Sequence, residues 1–394
     1  VPAGRIQRLL PEGGILARLG GDEFVCVVPY HPQVPDRVDQ LATRMVENVA
    51  RPVEYGDMPV DVTMSIGIAS STQMDNVRDG TAAAQTLMHK ADIAMYHAKK
   101  HGKNRYVWFE PVMEQELKFR SQLENGIRAG IAAGEFVPFY EQQVDIESGR
   151  LVGFEMLARW QSPALGLVGP DIFIPIAEEI GVIDELSECL IIQAFKDARE
   201  WDPSLTLSVN ISPIQLRDPW FSQKFLKLLI QHNFPASRLE IEITESVLIA
   251  DDQRALAGFR ALKAIGVKIA LDDFGTGYSS LGYLSRFPFD TIKIDRSFVR
   301  NLSKDPNSLS IVETIIRLGR SLHMTVVAEG VETEVELIAL ARTGCDEIQG
   351  FLVGAPQPVD ITLRTPPEEV QEILLSERRL EDLRAVGKGR RMAG

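Results

Sequence analysis

The sequence predicts an α/β protein: a TIM-barrel-like domain filling the C-terminal two-thirds of the chain, preceded by a partial, smaller α+β module. Three observations carry that prediction. Short β-rich runs alternate with helical segments from Phe136 to Gly354, a rhythm that points to parallel strands and, over roughly 220 residues, to a closed barrel. Seven of the apolar runs end on a carboxylate, an amide or a lysine: Val152 to Glu155, Thr206 to Asn210, Leu239 to Glu242, Val267 to Asp272 with Asp273, Thr291 to Lys293 with Asp295, Thr325 to Glu329, and Asp346 to Gln349. In such barrels the C-terminal strand ends form the functional face. Finally, 394 residues with 45% hydrophobic and 25% charged side chains give room for two or three domains with real cores.

Taken in order, residues 1–109 mix strands and helices. Strands are expected at Ile15 to Leu19, Phe24 to Val28 and Val62 to Ile68, and helices at Arg37 to Val49 and Ala82 to Lys100, the second stopping near Gly102. Residues 110–133 form a connecting helix, entered at Pro111, with Leu123, Ile127 and Ile131 at helical spacing. The barrel domain spans 134–364. Its helices fall at Leu186 to Trp201, Phe221 to His232, Gln253 to Ile265, Ile311 to Leu322 and Glu334 to Thr343. Residues 365–394 open with Pro366 and Pro367, continue as a charged helix through Ile373, Leu374, Leu380 and Leu383, and end in a basic tail with Lys388, Arg390 and Arg391.

Composition narrows the function. A net charge of −13 argues against nucleic-acid polymers, whose sequence-independent binding relies on many phosphate-neutralising cations. The three cysteines, Cys26, Cys189 and Cys345, have no paired spacing, so neither a disulfide framework nor a cysteine zinc site is expected. A reducing cytoplasm is the expected compartment. No stretch approaches the roughly 20 apolar residues of a membrane span, and no leader is read at Val1.

An unpaired carboxylate behind an apolar strand is costly to bury. Repeated strand after strand, the arrangement predicts a set of oxygen ligands gathered around cations. Glu155, Asn210, Glu242 and Asp272 suit Mg²⁺ or Mn²⁺ rather than zinc, and such a set can hold two ions. Two-metal sites polarise a phosphoryl group and stabilise the departing alkoxide, so phosphodiester hydrolysis is the expected chemistry. Lys293 would orient the attacking water or neutralise phosphorus-centred charge. Glu329, Glu332 and Gln349 would complete the surroundings of the second metal. Taken alone, each of these residues has a structural reading; Asn210, before Ser212 and Pro213, could simply cap the next helix.

The segment from about Glu116 to Pro358 resembles the EAL domain. The resemblance rests on Gly153-Phe154-Glu155-Met156-Leu157-Ala158-Arg159-Trp160, Asn210-Ile211-Ser212, Glu242-Ile243-Thr244-Glu245, Asp272-Asp273-Phe274-Gly275-Thr276-Gly277-Tyr278-Ser279-Ser280, Lys293-Ile294-Asp295, Glu329-Gly330-Val331-Glu332 and Gln349-Gly350-Phe351. It implies a metal-dependent phosphodiesterase that opens cyclic di-GMP to linear pGpG. Glu155, Asn210, Glu242, Asp272, Asp273 and Glu329 would hold the two ions, Asp272 bridging them, while Lys293 assists the water. Arg159 would grip a substrate phosphate, with Leu157, Glu141, Gln349 and Asp295 also lining the substrate site. Glu245 and Glu332 would steady a loop and a metal water, and the Gly275 to Ser280 loop would couple the site to a homodimer interface.

Departures from the family pattern are also informative. Met156 replaces the central alanine of the name-giving triplet, Ala355 stands where many relatives have arginine, and the first-strand Tyr-Gln-Pro-Ile is Tyr140-Glu141-Gln142-Gln143. Glu141 adds a negative charge beside an anionic substrate and so would weaken its affinity. A cyclic di-GMP receptor without catalysis is the second reading.

In the first module, Arg18-Leu19-Gly20-Gly21-Asp22-Glu23-Phe24 reads as a hairpin whose glycines supply the turn. Together with Ser65-Ile66-Gly67-Ile68-Ala69, Ala91-Asp92, Ala94-Met95-Tyr96, Ala98-Lys99 and Asn104-Arg105, it resembles the GGDEF domain of diguanylate cyclases. The resemblance implies that Gly20 and Gly21 approach GTP and Glu23 binds metal. Only 19 residues precede the motif and Pro11-Glu12-Gly13-Gly14 occupies the place of the inhibitory site, so a partial, non-catalytic, regulatory module is expected.

Overall fold

The computed structural model describes residues 2–55, 58–73, 79–245, 253–276, 284, 286–302, 305–363, 372–374 and 376, and the chain divides into two units between Leu123 and Glu124. In the first unit, strands β1 (Ile15–Gly20) and β2 (Glu23–Val27) form an antiparallel hairpin, β3 (Val53–Tyr55) pairs with β4 (Met58–Val60), and β5 (Ile66–Ile68) pairs in parallel with β6 (Tyr106–Trp108). Ile66–Ile68 is all that forms of the longer strand expected from Val62. The helix Gly80–Lys100 starts where Asp79 Oδ1 accepts the Thr81 N–H at 3.0 Å, satisfying one of the orphan donors of a helix start. Gly67 lets that helix lie close over β5, because a Cβ there would collide with Ala91 O and Met95 N. Ile93, Ala94, Phe109 and Met113 make one small core, and Ile6, Met45 and Val49 make another.

The helix Pro111–Ala133 follows the expected span and carries the chain from the first unit into the second. In the second unit, β7 (Phe136–Asp145) and β8 (Leu151–Ser162) form a long hairpin, with β9 (Gly166–Val168) added to the outer part of β8. Then follow β10 (Thr206–Asn210), β11 (Leu239–Thr244), β12 (Lys268–Phe274), β13 (Thr291–Ile294), β14 (Thr325–Ala328) and β15 (Glu347–Gln349). Neighbouring strands from β10 to β15 are parallel, β8 pairs in parallel with β10, and β15 pairs antiparallel with β7. That closes the barrel.

Among the strands that close the barrel, the exception to parallel pairing is β7. Alternating strands and helices predict parallel neighbours, yet only residues 146–150 join β7 to β8, too few for a crossover. Asp145 Oδ1 accepts the Ser148 N–H at 2.6 Å and Gly149 adopts a φ of 66°, so the chain turns back at once. The consequence is functional: the hairpin sets Glu141 directly opposite Glu155.

Side-chain alternation then sorts the barrel. On β8, Phe154 and Trp160 join the aromatic groups Phe136, Phe173, Tyr140 and Trp201, with Phe136 stacked on Trp160 at 5.3 Å between ring centres. Gly126 and Gly130 of the entering helix leave room for the Trp160 indole, whose N–H donates to Glu135 at 2.9 Å. Glu155, between these aromatics in sequence, faces the other way. Helices Pro170–Glu179, Ile183–Asp197, Phe221–Gln231, Gln253–Ala264, Pro306–Leu322 and Glu334–Thr343 connect the strands. Of the C-terminal stretch, Leu374 is buried; Leu380, Leu383 and the basic tail lie outside the described residues. Among the described residues, no helix is long and apolar enough to cross a membrane.

Candidate active site

Lys293 is the centre of the site. It is one residue from the end of β13, its side chain is fully buried, and its Nζ lies 3.0 Å from Glu155, 2.7 Å from Glu242, 3.8 Å from Asp272 and 2.6 Å from Glu329. Those four carboxylates come from β8, β11, β12 and the residue just after β14. Burial by itself would discharge the ammonium, but Asp272, Glu155, Glu242 and Glu329 hold its pKa well above the ordinary lysine value. Lys293 stays charged.

The carboxylates divide in response. Burial would raise Glu155, yet Lys293 and the donors Gln349 and Asn210 outweigh it and hold this carboxyl below its ordinary range. Burial and then repulsion from Glu155 push Glu242 well upward, and burial raises Asp272 and Glu329 despite Lys293. Asn210 Nδ2 donates to Glu155 Oε1 at 2.6 Å. Its side chain therefore turns to the site, and the helix-cap alternative falls away.

Asp272 and Asp273 reach the site together because β12 breaks its pleat. Pairing with β13 slips between Leu271 and Phe274, and Asp273 adopts a left-handed φ of 54°. Successive strand residues ordinarily face opposite sides; a bulge re-aims one of them. Oxygens of Asp272, Asp273 and Glu329 consequently lie within 4.8 Å of one another. Burial and the neighbouring Asp272 push Asp273 up to about 6.

These residues fit divalent cations on two grounds. Glu242 Oε1 is a buried acceptor with no hydrogen-bond partner, an arrangement that is costly unless something satisfies it. Four carboxylates, those of Glu155, Glu242, Asp272 and Glu329, also surround the Lys293 ammonium, and Asp273 lies beside Asp272 and Glu329. Hard oxygen donors in excess of nearby positive charge suit Mg²⁺ or Mn²⁺.

Around this centre, Gln349 Nε2 donates to Glu141 Oε2 at 2.9 Å and also to Glu155 Oε2. Glu141 is buried; that burial, followed by repulsion from Glu155, raises its carboxyl to about 7. Leu157 and Arg159 continue the Glu155 face of β8, both half-buried, with the Arg159 guanidinium 5.5 Å above the Phe139 ring. Asp295 caps the short helix Arg296–Val299 through the Ser297 N–H at 3.0 Å and adds to the upward shift of Asp273. Glu245 is buried immediately after β11. Glu332 is exposed and paired with Arg300. Of the Gly275 to Ser280 loop, residues 277–280 lie outside the described residues.

A deeper polar layer escaped the sequence reading. Ser208 Oγ donates to Glu240 Oε1 at 3.2 Å, Thr291 Oγ1 donates to Glu240 Oε2 at 2.7 Å, and Gln143 Nε2 donates to Ser208 Oγ at 3.4 Å. Glu347, pushed up to about 7 by burial and then by Glu240, belongs to the same depth. A signal did exist: Ser208, Glu240, Thr291 and Glu347 each stand two residues before Asn210, Glu242, Lys293 and Gln349. Period-two spacing puts each pair on one face.

Fold and site together define a closed α/β barrel whose C-terminal strand ends are suited to divalent cations. Residues 124–356 match the family model described as the EAL domain, and the chain belongs to that family. Residues 2–105 match the diguanylate cyclase GGDEF domain model. The chain is 42% identical over 358 residues to an uncharacterized signaling protein of Caulobacter vibrioides, covering 91% of this chain and 44% of that protein. It is 36% identical over 362 residues to the bifunctional diguanylate cyclase/cyclic di-GMP phosphodiesterase MucR of Pseudomonas aeruginosa, covering 91% of this chain and 52% of MucR. It thus spans about half the length of these relatives. Among solved structures, the PaMucR phosphodiesterase in complex with c-di-GMP matches with a TM-score of 0.59 and 38% identity, over 61% of this chain and 99% of that one. The EAL enzyme Bd1971, in its cAMP- and cyclic-di-GMP-bound form, matches with a TM-score of 0.61 and 28% identity, over 75% and 77%.

Proposed function

We propose that this protein is a cyclic di-GMP phosphodiesterase that hydrolyses the cyclic dinucleotide to linear pGpG and depends on two Mg²⁺ or Mn²⁺ ions. The observation that carries the reading is the convergence of Glu155, Glu242, Asp272 and Glu329 on buried Lys293, in a chain of the EAL family. Glu155, Asn210, Glu242, Asp272, Asp273 and Glu329 would hold the ions. Bound there, divalent cations supply Lewis acidity toward a phosphoryl oxygen and stabilise the leaving alkoxide.

The remaining steps belong to the chain's own side chains. Lys293, held protonated by its carboxylates, would orient the attacking water by a charged N–H and offset negative charge gathering at phosphorus. Arg159 offers a planar fork to a phosphate, and Leu157 an apolar wall to a base. Gln349 and Asp295 would add polar contacts, while Glu245 and Glu332 would steady a loop and a metal water. Glu141 would oppose the anionic substrate and weaken its binding. We further read the first module as regulatory, with any GTP at Gly20, Gly21 and Glu23 bound rather than converted, and the barrel as the homodimerising part of a cytoplasmic protein.

Incubation with cyclic di-GMP and either metal is expected to yield pGpG. Absence of turnover with both metals, at protein and substrate concentrations that saturate binding, would sink the phosphodiesterase reading. A receptor without catalysis is the second reading, favoured by the buried Glu141 carboxylate engaging Gln349. Calorimetric binding without hydrolysis would select it.

A further inference from the structure

Gln143 sits beneath the metal-ligand layer on β7, two residues from Glu141 and on the same face of the strand. Its Nε2 donates to Gln349 Oε1 at 3.3 Å. That contact joins two carboxylates in setting which end of the Gln349 amide points where: with the oxygen turned down to Gln143, the nitrogen faces up to Glu141 Oε2 and Glu155 Oε2. A flipped amide would bring its oxygen against two carboxylates, while its nitrogen would meet the donor of Gln143. The deeper layer in turn supports Gln143, which donates to Ser208 Oγ, whose hydroxyl donates in turn to Glu240. Gly153, opposite Gln143 in the hairpin, makes the space, since a Cβ there would run into Thr206 Oγ1 and approach Gln143 Oε1.

We infer that Gln143 is a positioning residue: it pins the Gln349 amide and, through it, aims the Glu155 carboxylate at the metal site. An apolar side chain in place of Gln143 can fill the space but gives the Gln349 oxygen no donor, leaving the two carboxylates alone to hold the amide. The difference lies in orientation, not packing. The inference rests on the proposed metal-dependent reading of the same site, and its test separates the two.

The experiment uses the full chain and compares wild type, Gln143→Leu, Gln349→Ala and the double variant. In each, Mn²⁺ binding is followed by calorimetry, and hydrolysis of cyclic di-GMP by kcat, KM and the Mn²⁺ concentration giving half-maximal rate. Gln143→Leu is expected to weaken Mn²⁺ binding and raise the half-maximal Mn²⁺ concentration by about 3- to 10-fold, with KM changed by less than about 2-fold, as for loss of one hydrogen bond that orients a ligand. In the Gln349→Ala background the same substitution is expected to add nothing further, because neighbours acting as one unit are not additive. Ser208→Ala, which removes the support under Gln143, should move Mn²⁺ binding in the same direction by a smaller factor, and it serves as the readout if Gln143→Leu fails to fold. Unchanged Mn²⁺ binding in the folded variants, or effects of Gln143→Leu and Gln349→Ala that simply multiply, would overturn the inference. Wild type that binds Mn²⁺ but does not turn over would count against the phosphodiesterase reading alone, leaving the Mn²⁺ titrations to decide the role of Gln143.

Discussion

The two motif-bearing regions of this chain treat their acidic residues in opposite ways. In the barrel, carboxylates from β8, β11, β12 and the end of β14 meet around one fully buried ammonium. In the first unit, Glu23 opens β2 exposed to solvent, and the turn before it is tied locally by Arg18, whose Nε and Nη2 donate to Gly21 O at 3.0 and 2.6 Å. Among the described residues, the acidic group close enough to share a cation is that of Asp272, Asp273 and Glu329. A motif supplies residue types; a site also needs several distant elements to bring them together and exclude water.

The largest break in that comparison is at Lys293. Lys293→Met should lower cyclic di-GMP hydrolysis by at least about 10³-fold and, by leaving buried carboxylates without their cation, destabilise the barrel by about 3–5 kcal/mol. Asp272→Asn should match the loss of activity with little loss of stability, because an amide keeps the shape and removes repulsive charge. Steady-state rates and chemical denaturation separate the two effects. Activity within about 10-fold of wild type in both variants would remove the barrel's claim to be the catalytic region.

A pair of glycines sharpens the contrast next. A Cβ on Gly350 would strike the Val331 backbone N and O, beside Gln349, so Gly350→Ala should distort the site and cut hydrolysis by about 10-fold or more. A Cβ on Gly67 would strike the helix Gly80–Lys100 instead. Gly67→Ala should lower the stability of the first unit by about 1–3 kcal/mol while hydrolysis stays near wild type. Matching losses of activity in both variants would show that the units act as one.

Glu347 offers a carboxylate control that is half-buried without belonging to the ligand set. Its folded pKa of about 7 lies above the ordinary glutamate value of 4.5, through burial first and Glu240 second. A raised acid pKa means the folded state prefers the protonated form. The cost is therefore absent below the unfolded pKa and grows as pH rises through about 7. Glu347→Gln should stabilise the barrel by about 1–3 kcal/mol at pH 8 and by almost nothing at pH 4.5, read from urea unfolding at the two pH values. Equal stability at both would mean the carboxylate is better solvated than its setting implies.

What could be read from the sequence follows the same physics. Glu242, Lys293 and Glu329 stand where short parallel strands stop, so an apolar run ending in a polar residue locates them directly. Glu155 does not: β8 runs on to Ser162, because its antiparallel pairing with β7 continues past the ligand. The direction of β7 is invisible to a pattern of alternation, which encodes faces and not polarity; the short turn after Asp145 was the clue. Asp273 owes its place to a backbone bulge, which side-chain spacing cannot report. The deeper polar layer was written in the period-two positions below each ligand, while attention to strand ends passed over it. Glu332 forms an exposed pair with Arg300.

The smallest expected effect is the most direct test of the difference between the regions. Glu23 is exposed, and the hairpin turn it follows is held by Arg18 and by backbone pairing that needs no Glu23 side chain. Glu23→Ala should therefore leave the unfolding transition within about 0.5 kcal/mol of wild type, as exposed substitutions away from special features usually do. Basal hydrolysis of cyclic di-GMP should change by less than about 2-fold, against the loss of about 10³-fold expected at Lys293. The informative measurement repeats the assay with GTP present. If GTP alters the rate in wild type and not in Glu23→Ala, the hairpin is a regulatory site. If Glu23→Ala lowers the basal rate as steeply as Lys293→Met, the two motifs form one functional unit and the contrast between them fails.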